Sequence, residues 1–503
     1  MPGPAARPVA SRPARGPRRT GLSLAVAGVA AVVALGSALA PAESAGADGP
    51  MGRADPQSVV AHQGRWLVDQ KGRVLLLHGV NMVEKTAPYY PSSGGFSDAD
   101  AAWLADNGLR VVRVGILATG LMPRPGPVDE RYISHIVATV NDLRRHGIYA
   151  MIDFHQDGYG PTVGSDGFPD WMTLTGSAVN NHVGFPLYYA DDPATQQAFQ
   201  SFWDNARGPD GRPLQSDYVA MFHAVAERFA GNPAVLGYDL FNEPWPGTVW
   251  QPCLATTGCP GLDHSELGPL YAAAVQGIRS AGDSHLIFGE PFTLFNFGVS
   301  PTSIPLPGND PRAGLSFHMY TTDPTKDPNV IANAIGWSAA TGGALMNTEW
   351  GAVTDSTAIE RQAGELDAAL VPWIFWSISE VVSNLNLPPS GANLVASTVA
   401  ALVRPYPLAV AGTPKTLAYS PAGRMLSFGW STARPGGGSY EPGTHTEVVA
   451  PATVYPTGYH VSVRGGRVTS PPCASTISVA NLPGDHRVRL RVSPADSCPD
   501  GLG

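Results

Sequence analysis

Residues 235–243 read VLGYDLFNE, and residues 344–349 read ALMNTE. Each stretch is a short apolar run that ends in a glutamate, Glu243 in the first and Glu349 in the second. Short apolar runs are typical of strands that are buried on both faces of a parallel sheet. If both strands point the same way in one sheet, the two carboxylates project from the same edge.

Six further runs of this kind extend the pattern along the chain. The eight runs cover residues 74–82, 110–116, 149–157, 235–243, 286–291, 315–320, 344–349 and 373–379. Segments between them, such as 101–109 and 132–147, carry apolar residues at helical spacing. The alternation predicts an α/β fold, a (β/α)8 TIM barrel over residues 48–405, with catalytic side chains at the C-terminal ends of its strands.

The pattern changes after the stretch RPYPLAVAGTP at residues 404–414. Short alternating runs separated by Gly and Pro follow, without helical periodicity, and they predict a C-terminal antiparallel β-sandwich domain over residues 406–503. Its aromatic residues could form a carbohydrate-binding surface or a core, and we favour a core that packs on the barrel. These residues are Phe428, Trp430, Tyr455 and Tyr459.

The N-terminus has the composition of an export signal. Residues 1–20 contain five arginines and no acidic residue, and the apolar run LSLAVAGVAAVVALGSALA follows at residues 22–40. This predicts a cleavable signal peptide over residues 1–47 and a secreted protein, with an uncleaved membrane anchor as the alternative. Cleavage after residues 45–47 is favoured over cleavage after residues 38–40. The choice between general secretion and twin-arginine export stays open.

Composition limits the class of protein. The chain has 503 residues, of which 43% are hydrophobic and 15% charged, and its net charge of −9 argues against a nucleic-acid binder. Four cysteines in an exported protein indicate disulfides, and local pairing gives Cys253 with Cys259 and Cys473 with Cys498. We expect no metal and no cofactor, because two carboxylates alone can hydrolyse a glycosidic bond. One donates a proton to the leaving oxygen while the other attacks the anomeric carbon.

Several polar and aromatic residues stand at strand ends in a fixed order. They are Arg113, His155, Asn242, Glu243, His318, Tyr320, Glu349 and Trp376. On these residues the region from about 56 to 405 resembles clan A glycoside hydrolases, specifically family 5. The resemblance implies a retaining enzyme in which Glu243 is the general acid/base, with a raised pKa, and Glu349 is the nucleophile. The two carboxyl groups should then lie about 5–5.5 Å apart.

The same resemblance assigns the remaining strand-end residues. Arg113 and Tyr320 would donate hydrogen bonds that keep Glu349 ionised. Asn242 would bind the sugar 2-hydroxyl, and Trp376 would stack on the sugar. For His155 and His318, binding of sugar hydroxyls and support of other side chains are both open.

A narrower resemblance rests on HGVNMVEKTAPYYP at residues 78–91 and FHQDGYG at residues 154–160. These stretches are similar to the endoglycoceramidase subgroup, whose members cut the β-bond between an oligosaccharide and ceramide. Lys85 and Asp157 would bind the sugar next to the scissile bond. The alternatives are a solvated loop charge for Lys85 and a turn or helix cap for Asp157. Glucose and galactose both remain open as the innermost sugar.

Two aromatic insertions, residues 158–190 and 244–266, follow the third and fourth runs. They either cover the end of the barrel or form an apolar wall, which would suit ceramide. The expected partner is a glycolipid in micelles or membranes, bound by a monomer without stable membrane insertion. Alternatives are a β-glucanase, an exo-acting glucosidase on simpler glycolipids, or a non-catalytic carbohydrate- or lipid-binding protein.

Overall fold

The computed structural model describes residues 59–321 and 323–498. The predicted signal peptide, residues 1–47, lies outside the described residues. Within the described part of the chain, no helix combines the length and the apolar character that crossing a bilayer requires.

Three short strands precede the barrel: β1 (Ala61–Gln63), β2 (Trp66–Val68) and β3 (Val74–Leu75). Eight parallel strands then close into a barrel in the order β10-β11-β4-β5-β6-β7-β8-β9, which confirms the predicted TIM barrel. These strands are β4 (His78–Met82), β5 (Val111–Leu117), β6 (Tyr149–His155), β7 (Val235–Asp239), β8 (Leu286–Gly289), β9 (Ala313–Met319), β10 (Ala344–Trp350) and β11 (Trp373–Phe375).

Helices surround the barrel. Those of seven or more residues are α1 (Asp98–Asp106), α2 (Glu130–Arg145), α3 (Pro193–Trp203), α4 (Leu214–Phe229), α5 (Gly268–Ser280), α6 (Asp327–Thr341), α7 (Ser356–Ala368) and α8 (Ala396–Leu402). Helix α2 shows why they form: the Asp129 side chain accepts hydrogen bonds from the first-turn amides of Arg131 and Tyr132. Its buried residues Ile133, Ile136 and Val140 recur every three or four positions and pack on the strands.

Two details differ from the sequence prediction. The run at residues 74–82, predicted as one strand, is divided, because Val74 and Leu75 pair outside the barrel and only His78–Met82 belongs to it. The predicted strand-helix alternation also fails after β8. Two 3₁₀ turns, Thr293–Phe297 and Pro307–Asn309, stand in place of a helix. Prolines in this segment explain the difference, since each removes an amide donor that a helix needs.

The C-terminal strands form two antiparallel sheets, as predicted. They are β12 (Tyr406–Val410), β13 (Thr413–Ser420), β14 (Met425–Ser431), β15 (His445–Val449), β16 (Tyr459–Arg464), β17 (Gly466–Val468), β18 (Thr476–Asn481) and β19 (Arg487–Pro494). One sheet has the order β1-β2-β3-β12-β15-β18-β17, and the other β13-β14-β19-β16. The first sheet therefore takes strands from both sides of the boundary predicted at residues 405 and 406.

The C-terminal core is aromatic and apolar. Phe428 and Trp430 stack with ring centroids 4.9 Å apart, and both are buried. Tyr455 and Tyr459 are buried as well, so the favoured interpretation of these four aromatic residues as core is confirmed. Both predicted disulfides are present, Cys253–Cys259 and Cys473–Cys498.

Candidate active site

Glu349 lies on β10, at a local irregularity of the barrel. Asn347 pairs with Phe317 on β9, and Glu349 pairs with the next residue, His318, so that Thr348 has no opposite partner. An extra residue of this kind re-aims the side chain that follows it. The Glu349 carboxylate accepts hydrogen bonds from Arg113 Nη1 at 2.5 Å and from the Tyr320 hydroxyl at 2.9 Å. The two donors predicted for Glu349 therefore contact it.

Glu243 follows β7 and has a backbone φ of 45°, which is uncommon for a residue with a side chain. Two contacts hold this conformation. The Glu243 amide donates to Glu290 Oε2 at 3.0 Å, and the Glu243 carbonyl accepts from Gln156 Nε2 at 2.9 Å. Strain that is held by surrounding groups is typical of functional sites.

The Glu243 carboxylate is paired with a histidine. Glu243 Oε1 lies 2.8 Å from His318 Nδ1 and accepts a hydrogen bond from Asn296 Nδ2 at 3.0 Å. Burial raises the pKa of Glu243, but His318 and Asn296 outweigh burial and leave the pKa below its ordinary value. The expectation of a raised pKa for Glu243 is therefore wrong, because it considered burial and Glu349 but no histidine donor.

His318 also affects Glu349, whose carboxylate is 3.5 Å from His318 Nδ1. Burial raises the pKa of Glu349, although His318 and Arg113 oppose the shift. Burial lowers the pKa of His318, but the carboxylates of Glu290, Glu349 and Glu243 outweigh it, so the pKa of His318 is well above its ordinary value. His318 is thus an imidazolium beside both glutamates.

Below the two glutamates, Arg113 is completely buried among carboxylates. Its guanidinium lies 2.8 Å from Asp153, 3.0 Å from Asp239 and 3.0 Å from Glu290, in addition to its contact with Glu349. Carboxylates outnumber the cations here, so not all of them can be ionised at low cost. Burial and Asp239 raise the pKa of Glu290 to about 8 against the charge of His318.

Arg113 also orients Asn242, whose Oδ1 accepts from Arg113 Nη2 at 2.8 Å. The Asn242 amide nitrogen donates to the Gln156 carbonyl at 2.9 Å. The side chain predicted to bind the sugar 2-hydroxyl is thus fixed by the protein on both sides, next to Glu243.

A second charged group lies at the side of the cavity. Lys85 Nζ forms an ion pair with Asp157 and lies 3.7 Å from Asp166 Oδ2 and 4.9 Å from the centre of the Trp376 ring. Trp376 lies nearly parallel to His155, with ring centroids 5.4 Å apart. Burial and Lys85 hold the pKa of His155 well below its ordinary value. The structure therefore brings the predicted residues Lys85, Asp157, His155 and Trp376 together.

The glutamates and these charged residues open into one cavity of about 600 Å³. Its lining includes the charged residues Lys85, Asp157 and Asp166. It also includes aromatic residues and a proline: Phe185, Pro186, Tyr188, Tyr189 and Phe297. The glutamate oxygens nearest each other are within 4.8 Å, and each carboxylate is buried.

The aromatic insertion at residues 158–190 has two roles in the structure. Phe168 and Met172 are buried and cover the barrel, in agreement with the first interpretation. Tyr188 and Tyr189 are also buried but line the cavity, and Phe185 is 68% exposed at its edge. Both interpretations therefore hold, for different residues.

Two groups of residues have the spacing of metal ligands: His155, Asp157 and Asp166, and Glu243, His318 and Glu349. In the first group the ammonium of Lys85 already lies beside both carboxylates and offsets part of their charge. In the second, Arg113 and the His318 imidazolium do so. Each group is better suited to hydrogen-bonding a polar substrate than to binding a cation.

Two family models match the chain. "Cellulase (glycosyl hydrolase family 5)" matches residues 68–381, and "Glycoside hydrolase family 5 C-terminal domain" matches residues 404–492. The chain belongs to glycoside hydrolase family 5. This confirms the family predicted from the strand-end residues, and it makes the protein a glycoside hydrolase.

Two sequence relatives and one solved structure are similar to this family 5 hydrolase over most of its length. Endoglycoceramidase I of Rhodococcus hoagii (strain 103S) is 28% identical over 482 residues, which cover 89% of this chain and 92% of that protein. Endoglycoceramidase of Hydra vulgaris is 28% identical over 451 residues, covering 82% and 84%. The solved structure of endo-glycoceramidase II from Rhodococcus sp., as a lactosyl-enzyme intermediate, has a TM-score of 0.70 and 25% identity, covering 86% of this chain and 99% of that chain.

Sequence reasoning missed several residues of the family 5 site. They are Asp153, Gln156, Asp166, Asp239, Glu290 and Asn296. Three of them were detectable, because Asp153, Asp239 and Glu290 interrupt or directly follow apolar strand runs. Asp166 and Asn296 come from loops, and only tertiary structure places them beside the cavity.

Proposed function

We propose that this family 5 hydrolase is a secreted, retaining endo-β-glycosidase that cleaves the bond between the oligosaccharide and ceramide of glycosphingolipids. One observation carries the proposal. Two buried glutamates adjoin a cavity whose lining combines charged side chains with aromatic ones. A glycolipid needs both kinds of lining, since its sugar needs polar partners and its lipid needs an apolar surface.

The proposed reaction has two steps. Glu349 attacks the anomeric carbon and forms a glycosyl ester, while Glu243 protonates the oxygen that leaves with ceramide. Water then cleaves the ester, and Glu243 takes up its proton. The short distance between the two carboxylates supports a retaining course, because an inverting enzyme needs room for a water between them. The lactosyl-enzyme form of the Rhodococcus relative is consistent with this course.

The low pKa of Glu243 requires a source for the proton that it delivers. His318 Nδ1 is 2.8 Å from Glu243 Oε1, and His318 is an imidazolium in the empty cavity. We infer that His318 passes a proton to Glu243 as the leaving oxygen develops charge, and takes one back in the second step. On the other side of the ring, the carboxyl of Glu290 lies 3.1 Å from His318 Nε2.

In the proposed complex the glycan lies on the side of Lys85, Asp157 and Trp376. A flat ring such as that of Trp376 can stack on a sugar, and the ion-paired side chains offer donors and acceptors to hydroxyls. The ceramide lies along Phe185, Tyr188 and Tyr189, of which Phe185 reaches into solvent. The scissile bond then lies at the two glutamates, which line the same cavity.

The aromatic lining argues against the alternative of a β-glucanase. A glucan would need sugar-stacking rings on both sides of the glutamates, whereas Trp376 is the one tryptophan among the described residues that line this cavity. The other rings of the lining belong to tyrosines and phenylalanines, and together with Pro186 they suit an aglycone better than a second run of sugars.

Mass spectrometry of a glycosphingolipid digest tests the proposal. Purified enzyme should release free ceramide and intact oligosaccharide from a mixture of neutral glycolipids and gangliosides in detergent. The innermost sugar of each product shows whether glucose or galactose is accepted. Release of single sugars from the non-reducing end would instead indicate an exo-acting enzyme. Intact lipids together with cleavage of soluble β-glucan would refute the proposal.

Secretion is the second part of the proposal, and the basic, then apolar, N-terminal sequence supports it. Expression of the full chain in a bacterial host should give protein in the medium whose N-terminus lies near residue 48. A product that stays in the membrane fraction with its first residues intact would indicate an uncleaved anchor.

A further inference from the structure

The sheet β13-β14-β19-β16 has an unusual outer face. Its four strands contain no Asp or Glu, although acidic residues outnumber Lys and Arg in the whole chain, 41 to 32. Arginines occupy every second position of β19, at Arg487, Arg489 and Arg491, and all three are exposed. The residues between them, Val488 and Leu490, are buried in the sandwich core. The three arginines therefore share the solvent side of the sheet.

The pairing register adds a fourth arginine to this side. Arg489 stands opposite Arg464 of β16 and opposite Gly429 of β14. Arg491 stands between Ser462 and Ser427 in the same way. Adjacent strands lie about 4.8 Å apart and alternate residues along a strand about 6.8 Å apart, so the four charges share a small, flat area. We call Arg464, Arg487, Arg489 and Arg491 the arginine face.

This arrangement costs stability. Like charges directly opposite each other on a sheet repel, as Arg464 and Arg489 do. Within the described part of the chain, none of the four guanidinium groups has an ion pair or a hydrogen bond to a side chain. Asp485 precedes β19 in its turn and pairs with none of them. Small neighbours, Ser427, Gly429 and Ser462, leave the guanidinium groups uncovered. A sequence that breaks a local rule without compensation inside the fold points to a partner outside it.

We propose that the arginine face docks the protein on lipid bilayers whose headgroups are acidic. Arginine matches phosphate and carboxylate groups by charge and by geometry, and a flat sheet can contact many headgroups at once. The choice of a bilayer, rather than another polyanion, rests on the proposed glycolipid substrate, which resides in one. Nucleic acid is disfavoured because His460 is the one aromatic ring at the outward positions of these four strands, whereas a single-strand binder stacks successive bases on a series of rings.

Such docking would act apart from the catalytic cavity. The chain as a whole carries a net charge of −9, so an acidic bilayer repels most of its surface. A local cluster of four arginines would overcome this repulsion within a Debye length, about 8 Å at physiological salt. Binding should therefore weaken as salt is added, and it should not require that the cavity be filled.

Vesicle co-sedimentation tests the inference. The protein is mixed with vesicles of phosphatidylcholine alone or with about a third of phosphatidylserine, neither of which is a glycolipid. We expect binding to the acidic vesicles. The triple variant Arg487→Gln, Arg489→Gln, Arg491→Gln should lose about 100-fold in affinity, since each arginine near an anionic surface contributes about five-fold. The matched control removes three exposed arginines from the barrel: Arg124→Gln, Arg131→Gln, Arg144→Gln.

A second triple variant tests whether a loss of binding comes from misfolding, and whether binding requires the guanidinium group rather than its charge. Replacement of the same three arginines by lysine keeps the charge and should keep binding to acidic vesicles within about three-fold. Equal losses of affinity in the β19 triple variant and the barrel triple variant would overturn the inference. Binding that does not depend on the phosphatidylserine content would overturn it as well. Binding to heparin without binding to acidic vesicles would also overturn it and would assign the face to a polysaccharide.

Hydrolysis of a soluble aryl lactoside separates this inference from the proposed function. All arginine variants should hydrolyse it as the unmodified protein does, because none of the substituted residues lines the cavity. An enzyme that binds acidic vesicles but cleaves no glycolipid would refute the proposed function alone. An enzyme that cleaves glycolipids in detergent but binds no vesicle would refute docking alone.

Discussion

At the scale of single residues, Glu243 and Glu349 differ in the donors that reach them. Glu349 accepts from an arginine and a tyrosine, neither of which gives up a proton near neutral pH. Glu243 contacts His318, which can give one up. Groups that hold charge without releasing protons suit a nucleophile, whereas a group that exchanges protons suits an acid/base. The donor sets therefore support the proposed assignment, although His318 and Asn296 hold the pKa of Glu243 below its ordinary value against the effect of burial.

Substitution of each glutamate should separate the two roles. Glu243→Gln should lower kcat by about 10²–10⁴ on a substrate with an alkyl leaving group, such as ceramide, because protonation of that oxygen is lost. The loss in forming the glycosyl ester should be much smaller for dinitrophenyl lactoside, whose leaving group needs no proton. Glu349→Gln should abolish turnover of both substrates, by about 10⁴ or more. Burst and steady-state kinetics on the two substrates measure these effects.

If Glu243→Gln lowered the rate of forming the glycosyl ester equally for both substrates, its role as the acid would be contradicted. Gln156→Leu is a useful companion variant, since Gln156 contacts the backbone of Glu243 without reaching its carboxylate. It should lower kcat through misplacement of Glu243, and the loss in forming the glycosyl ester should again be smaller for dinitrophenyl lactoside, whose leaving group needs no proton.

Glu290 gives a prediction on stability. Its pKa is about 8 in the folded protein, against an ordinary value of 4.5, because it is buried. The folded state thus holds this proton more tightly than the unfolded state. The resulting stabilisation is complete below about pH 4.5 and is lost as the pH rises toward 8. Glu290→Gln cannot lose the proton, so its free energy of unfolding should fall less between pH 4.5 and 8.

Urea denaturation of both proteins at several pH values measures the difference. We expect the two stability curves to diverge in this range by a few kcal/mol at most, since one pKa unit corresponds to about 1.4 kcal/mol. Parallel curves would show that Glu290 is already ionised at pH 5 and that Arg113 and His318 neutralise it.

Whether a residue of the site could be predicted depended on the residues beside it in the sequence. Arg113 and the two glutamates were found because each is a polar residue in or at the end of an apolar run. Asp153 and Asp239 have the same signature but were missed, because a strand carboxylate can equally be a structural partner. The histidine contact of Glu243 joins the end of β7 to His318 on β9, two strands that β8 separates in the barrel. Periodicity in the sequence does not contain that information.

At the scale of elements, the period of the apolar runs predicted the barrel well. All eight barrel strands fall in or overlap the predicted runs, because a strand buried on both faces has a clear signature. The division of residues 74–82 was not predictable in this way, since Val74 and Leu75 are as apolar as the barrel strand that follows them. Their partners, Val410 and Ala409 on β12, are more than 300 residues away in the chain.

The exposed part of the insertion at residues 158–190 allows a prediction on substrate preference. Phe185 is 68% exposed and lines the cavity on the side assigned to ceramide. Phe185→Ser should lower kcat/KM for a glycosphingolipid by about 10-fold, because about 1–2 kcal/mol of apolar contact is lost. It should leave kcat/KM for a soluble aryl lactoside within two-fold. Parallel assays of the two substrates in the same detergent give the ratio.

The matched control is Leu482→Ser, which removes an exposed apolar residue, 40% accessible, outside the cavity. It should leave kcat/KM unchanged for both substrates. If Phe185→Ser lowered both rates equally, Phe185 would act on the conformation of the loop rather than on the lipid.

At the scale of the whole molecule, the barrel and the C-terminal sheets share a core. One buried cluster joins Leu77 and Val111 of the barrel to Leu408 and Val449 of the C-terminal strands. Tyr406 stacks on the ring of His78 at 3.7 Å and donates to the Gly108 carbonyl at 2.7 Å. The change in sequence pattern near residue 405 located where helices end. It could not show that strands from before the barrel complete the C-terminal sheet.

This shared core predicts that the barrel does not persist alone. A chain that ends at residue 405 would leave β3 without its partner β12, and would expose the apolar cluster around Leu77. Exposed apolar area of this size favours aggregation. We expect the chain 51–405 to be largely insoluble when expressed, whereas the chain 51–503 should be soluble. The soluble fraction, size-exclusion profile and aryl lactosidase activity of the two chains provide the comparison.

A substitution where the C-terminal strands pack on the barrel tests the shared core without truncating the chain. Tyr406→Ala removes the ring that stacks on His78 and the hydroxyl that binds Gly108, and it should destabilise the whole chain by about 3–5 kcal/mol. Because the core is continuous, barrel and sandwich should unfold in one transition, seen at the same urea concentration by tryptophan fluorescence and by loss of activity. A soluble, fully active chain 51–405, or an early transition that leaves activity intact, would show instead that the barrel is an independent unit and that the C-terminal sheets only accompany it.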